Sequence, residues 1–93
     1  MVWSGQGKAR PVPASPDFQR ALGAAVRERR QELGLTQEQL SLAAELHQRW
    51  ISNVENGVRN PSYGSLRRLA KGLGLATSQL VQRAEAIECD RAS

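Results

Sequence analysis

The chain is 93 residues long, which leaves room for one small domain and excludes two. A chain of this size buries only about 60–65% of the surface its unfolded form exposes, so a second copy is expected to help cover apolar surface. Cys89 is the lone cysteine and His47 the lone histidine, so no disulfide framework, zinc site or histidine-based catalytic centre can be assembled, and neither an enzyme nor a cofactor is expected.

The excess of 13 Lys+Arg over 9 Asp+Glu suggests a polyanionic partner. Residues 17–60 carry six charges of each sign, however, so the partner has to be argued from where individual side chains point. No apolar run approaches the ~20 residues of a membrane span, so no membrane partner is expected. The first residues lack the apolar core of a secretory signal, and a cytoplasmic, nucleoid-associated location is expected.

Met1–Pro16 holds Pro11, Pro13 and Pro16 with Lys8 and Arg10 and no periodic apolar face, and reads as a disordered or extended arm. It is either a solvating tail or a strand that touches phosphates. Residues 17–88 then form the domain, and 89–93 a short tail. From Asp17 the pattern turns helical, with Leu22, Val26 and Leu33 on one face and Phe18 and Ala25 beside them. Gly34 ends this helix, as a left-handed position favours a residue without Cβ. Thr36-Gln37-Glu38-Gln39 has capping-box spacing and starts a second helix, whose apolar face is Leu40, Ala43 and Ala44.

After a tight turn at Glu45-Leu46, Ile51 and Val54 set the phase of a third helix that stops at Asn56-Gly57. Pro61-Ser62 opens a fourth, with Leu66, Leu69, Ala70 and Leu73 in an i, i+3, i+4, i+7 stripe closed by Gly74. Thr77 caps a fifth, with Leu80, Val81, Ala84 and Ile87 apolar, running out near Cys89. No strand pattern interrupts, and the expectation is an all-α, compact five-helix bundle.

Gln37–Val54 has the spacing of a helix-turn-helix. Projected at about 100° per residue, the third helix turns Ile51, Val54, Val58, Glu55 and His47 towards the core. The opposite arc holds Arg49, Ser52, Asn53 and Asn56, with Gln48 on its flank and no acid. Arg can pair with guanine and Gln or Asn with adenine, so this arc suits base reading, although a solvated helix face would carry the same residue types. Trp50 lies between the arcs and either packs beneath the bundle or touches sugar and a thymine methyl. Tyr63 has the same choice between phosphate and water. Glu55 on the inner arc requires a cation, and spacing admits either Arg29 or Arg30.

The run Leu33-Gly34-Leu35-Thr36-Gln37-Glu38-Gln39-Leu40, followed by Ile51-Ser52-Asn53-Val54-Glu55-Asn56-Gly57 through Pro61-Ser62 and by Leu69-Ala70-Lys71-Gly72-Leu73-Gly74-Leu75, resembles the Cro and phage-repressor (XRE, lambda-repressor-like) helix-turn-helix family. The resemblance covers about two-thirds of the chain. It implies a regulator that places the third helix in the major groove of double-stranded DNA, with Gln48, Arg49, Ser52 and Asn53 on bases and Gln37, Asn56, Arg59 and Asn60 on phosphates. It also favours Arg30 as the partner of Glu55. Three residues depart from the family pattern: Glu45 where Gly is usual in the turn, Ser41 where Ala is usual, and His47 where Ser or Thr caps.

A homodimeric repressor on an inverted repeat is the expected working form, with Val81, Ala84 and Ile87 either forming the dimer surface or belonging to the monomer core. No separate ligand-sensing domain is expected, so control falls to concentration, the arm or a protein partner. Two rivals stand beside this reading. An antitoxin would repress its own promoter and grip a toxin with its tail. A protein-interaction adaptor would keep the fold but place acids or bulky apolar groups on the outer arc of the third helix.

Overall fold

The computed structural model describes residues 16–92; of the proposed arm 1–16, residues 1–15 lie outside them, and Pro16 is the first residue of α1 rather than part of the arm. Five helices follow one another: α1 (Pro16–Glu32), α2 (Gln37–Ala44), α3 (Gln48–Glu55), α4 (Tyr63–Gly72) and α5 (Thr77–Ala92), with no strand among the described residues. α1 is the spine, packing against both α5 and α3, while α2 bridges α3 and α4. Leu22, Val26, Leu40, Ile51, Val54, Leu69, Leu73 and Leu80 are fully buried between them. Each such side chain contributes roughly 1.5–3 kcal/mol on leaving water.

The helix boundaries follow from local chemistry. At α2 the capping box is complete: the Gln39 N–H donates to Thr36 Oγ1 at 3.0 Å and the Thr36 N–H donates to Gln39 Oε1 at 2.9 Å. At α4, Ser62 Oγ accepts from the Ser65 N–H at 3.2 Å. α1, α3 and α4 all end with a left-handed glycine, Gly34, Gly57 and Gly74 at φ 70°, 74° and 70°. In each case the N–H one residue later reaches back five positions, as from Val58 to the Asn53 carbonyl at 2.9 Å. The α2–α3 turn closes in the same way through Glu45, at φ 58°, with the Leu46 N–H on the Ser41 carbonyl at 3.0 Å.

Several expectations need correction. Leu33 is 42% exposed and Val58 71% exposed, because each lies beyond the end of its helix, where the 100° spiral no longer applies. Ala43 is exposed, and Ser41 takes its place in the buried face of α2 with Leu40 and Ala44. Burial there is tolerated because Ser41 Oγ donates to the Glu38 carbonyl at 2.7 Å. Thr77 is the first residue of α5 rather than its cap; the preceding Ala76 N–H donates to Gln79 Oε1 at 2.8 Å. α5 continues through Cys89 to Ala92, so the expected tail at 89–93 is helical up to Ala92.

Two close approaches need glycine for reasons of space. A Cβ on Gly23 would fall 2.6 Å from the Glu55 carbonyl oxygen and nearer still to that of Val54, so α1 and α3 touch backbone to backbone there. A Cβ on Gly72 would lie 2.9 Å from that of Ala44, which fixes α4 against α2.

Candidate nucleic-acid interface

Behind α3 sits one buried charge. The Glu55 side chain is 0% exposed, and both of its oxygens are occupied. Arg30 Nε donates to Oε2 at 2.7 Å and Arg30 Nη2 to Oε1 at 3.0 Å, a bidentate pair between α1 and α3. Arg30 Nη1 donates to the Leu35 carbonyl at 2.9 Å, which ties the α1–α2 loop to the same group. Gln37, the first residue of α2, adds its Nε2 to Glu55 Oε1 at 3.0 Å. Burial pushes the Glu55 carboxyl up, but the hydrogen bonds from Arg30 and Gln37 and the charges of Arg30 and Arg27 outweigh it and hold the group below the usual carboxylate range. The carboxylate thus joins three helices at one point and fixes how α3 is presented.

Arg29, the other cation the spacing allowed, points elsewhere. Its Nε donates to the Leu73 carbonyl at 2.9 Å and its Nη1 to Glu32 Oε1 at 3.2 Å. Sequence reasoning missed Arg27, whose Nε lies 3.5 Å from Glu55 Oε1 and whose Nη2 lies 3.4 Å from Asn56 Oδ1. The signal was present in the 3-4-3 spacing of Arg20, Gly23, Arg27 and Arg30, which sets one stripe of α1 against the Val54–Gly57 corner.

The outer side of α3 carries Gln48 and Arg49, both exposed, and Ser52 and Asn53, both half-exposed. Two shallow depressions flank this ridge. One is lined by Gln37, His47, Gln48, Arg49 and Ser52, the other by His47, Arg49, Trp50, Asn53 and Arg59. Neither contains an acid, so Gln37 shares the first depression with three of the base-reading candidates, and Arg59 closes the second. Asn56 and Asn60 are exposed at the C-terminal end of the ridge. Trp50 is half-buried and packs against the core with its edge on the second depression. Tyr63 is 69% exposed, its ring centre 6.0 Å from the Arg67 guanidinium carbon.

His47 was placed on the core arc but is exposed, because it precedes α3 and caps it. Its Nδ1 accepts from the Arg49 N–H at 3.4 Å, a long and weak bond. On α5 the structure withdraws Ala84 from the candidate dimer surface. Ala84 is 0% exposed and Ile87 packs against the core, so this face of α5 serves the monomer. Val81 is half-exposed.

Among the described residues no group of His, Cys, Asp and Glu gathers as a metal site, and no helix is long and apolar enough to cross a membrane. A short helix, a left-handed turn and a second helix with an apolar back and an acid-free polar front define a DNA-binding helix-turn-helix domain. The Helix-turn-helix family model matches residues 26–80, and this chain belongs to that family. It is 35% identical over 65 residues, 70% of this chain and 84% of the relative, to an uncharacterized HTH-type transcriptional regulator, y4dJ, of Sinorhizobium fredii. The fold is similar to that of the clp gene regulator ClgR from Corynebacterium glutamicum (TM-score 0.76, 27% identity, 88% of this chain and 84% of that one). It is similar also to the restriction-modification controller protein C.Esp1396I, solved as a tetramer on its natural 35 base-pair operator (TM-score 0.71, 25% identity, 77% of this chain and 95% of that one).

Proposed function

We propose that this chain is a transcriptional repressor that binds an inverted repeat in double-stranded DNA as a homodimer, on the nucleoid of a bacterial cytoplasm. The observation that carries the reading is the acid-free ridge of Gln48, Arg49, Ser52 and Asn53 on α3, held rigid from behind by the Arg30–Glu55 pair. In the major groove, Arg49 suits guanine O6 and N7, and Gln48 and Asn53 suit adenine N6 and N7. Each bidentate contact contributes about 1–3 kcal/mol of discrimination.

Gln37, Asn56, Arg59 and Asn60 hold phosphates on either side of the ridge and set its register. Gln37 can do so while bound to Glu55, since its amide nitrogen has a second hydrogen and its backbone N–H lies at the start of α2. C.Esp1396I assembles on its operator as an oligomer, which supports a multimer here. For a dimer, the half-sites lie about 34 Å apart or a multiple of that distance. The adaptor reading expects acids or bulky apolar groups on the outer arc of α3, and that arc carries neither.

Selection from a random duplex pool tests the proposal. The parent is expected to enrich an inverted repeat, and Arg49→Ala with Asn53→Ala is expected to blur it at the same salt. No enrichment by the parent, or equal enrichment by both proteins, would reject α3 as the reading surface.

A further inference from the structure

Two guanidinium groups face Glu55, and one of them is left over. Arg30 is 13% exposed and turned inward, with Nε and Nη2 on the carboxylate and Nη1 on the Leu35 carbonyl. That pair is electrically complete. Arg27 adds a second positive charge to the same carboxylate at 3.5 Å, yet its side chain is 47% exposed. Its other contact, Nη2 to Asn56 Oδ1 at 3.4 Å, is equally long. An arginine carries five N–H donors, and these two contacts leave most of them facing solvent.

The surroundings point to an anion. Arg27 borders an open depression of about 280 Å³ lined by Arg20, Ala24, Arg27, Glu55 and Asn56. The only acid there is Glu55, already neutralised by Arg30. Arg20 is paired with Asp17 at 2.8 Å, so Arg27 supplies the surplus charge of the depression. Its position also matters. Through Glu55 it is linked to Gln37 at the start of α2, and through Nη2 to Asn56 at the end of α3. It therefore sits at the corner between two candidate phosphate contacts on different helices.

We propose that Arg27 is a further phosphate-binding residue, contributed by α1 outside the helix-turn-helix and aimed at the DNA backbone by Glu55. This deepens the proposed function and rests on it. Glu55 then has two tasks: it closes α1 on α3 through Arg30, and it holds Arg27 at Nε so that the rest of the guanidinium is left for an anion outside. A phosphate contact of this kind adds affinity without sequence preference and is dispersed by salt.

The experiment measures the affinity of the full chain for a 30 base-pair duplex carrying the selected site, from about 50 to 300 mM KCl, for the parent, Arg27→Gln, Arg27→Lys and Arg83→Gln. Arg83 lies on α5, paired with Glu32, and its substitution removes the same charge away from the depression. On the proposal, Arg27→Gln lowers the slope of log K against log salt by about 0.9 and weakens binding at ~0.1 M salt roughly five- to tenfold, with base preference unchanged. Arg27→Lys and Arg83→Gln keep the parent slope. An unchanged slope in Arg27→Gln, or an equal fall in Arg83→Gln, overturns the proposal while DNA binding by the parent stands.

A second measurement needs no variant. Phenylglyoxal modification of the parent, read by peptide mass spectrometry, is expected to show Arg27 protected by the duplex. Equal modification with and without DNA overturns the proposal. A parent that binds no duplex at any salt overturns both this inference and the function on which it rests.

Discussion

Glu55 and Glu32 are each gripped by two arginines, and the two sites teach opposite lessons about what such a grip does. Glu55 is 0% exposed and gathers α1, α2 and α3 through Arg30, Arg27 and Gln37. Glu32 is 49% exposed and joins the end of α1 to α5 through Arg83, with Arg29 one turn behind it. The exposed pair sits in water and salt, which screen it. The buried pair cannot exchange its partners for water, so removing one partner leaves a stranded charge. Identical chemistry therefore makes a surface brace in one place and a structural keystone for α1, α2 and α3 in the other.

The largest expected effect is on the buried side. Arg30→Ala strands Glu55 and is expected to cost about 3–5 kcal/mol. At roughly 4–8 °C per kcal/mol for a domain of this size, the thermal midpoint falls by well over ~10 °C. Arg83→Ala, its exposed counterpart, is expected to move the midpoint far less, with the difference fading at high salt. Coincident melts of Arg30→Ala and the parent would show that the buried pair is not the keystone.

Acid separates the two sites next. Both carboxyls are held below their usual range, Glu55 against the upward push of burial and Glu32 chiefly by the Arg83 hydrogen bond. A depressed folded-state value means that the unfolded chain binds protons first. The stabilisation is therefore fully present above the unfolded value of about 4.3 and is lost as pH falls through the folded values. Stability is expected to be flat near neutrality and to decline below about pH 4–5. In high salt the share from Glu32 is screened, so Glu55→Gln should remove most of the remaining slope between pH 5 and the acid transition. A slope unchanged by Glu55→Gln would place the acid-sensitive groups elsewhere.

The contrast between the sites also marks what the sequence made legible. The Thr36–Gln39 box, the glycine stops and the buried face of α3 follow from interactions within a few residues, and spacing reports those directly. That Glu55 needs a cation was accessible because an acid on an apolar arc must be neutralised, but spacing admitted both Arg29 and Arg30, and the family resemblance favoured Arg30. Arg27 was missed because a second cation on a neutralised acid answers no such demand, and its helical spacing from Gly23 and Arg30 gains meaning only once α1 is seen to meet α3 at Gly23. Leu33 and Val58 were misplaced because periodicity gives the phase of a helix but not its last residue. The α5 face was left open between two readings for a related reason: an apolar stripe does not say whether its partner is α1 of the same chain or another copy. The structure assigns Ala84 to the monomer core.

The smallest expected effect concerns a third glutamate, and its origin is backbone rather than charge. Glu45 holds φ 58° and ψ 43° between α2 and α3, the conformation that Gly34, Gly57 and Gly74 hold at the other three turns. A residue with Cβ is strained there by about 1–2 kcal/mol, while glycine loses about 0.4–1 kcal/mol through its freer unfolded chain. Glu45→Gly is therefore expected to stabilise the domain by roughly 0.5–1 kcal/mol and to raise the midpoint by a few degrees. Because glycine adopts the same φ and ψ, the angle between α2 and α3 is kept and the base preference in the duplex selection stays that of the parent. A lower midpoint would show that the glutamate side chain stabilises the turn by more than its backbone strain costs. An altered base preference would show that the glutamate, beyond bending the chain, helps aim Gln48 and Arg49.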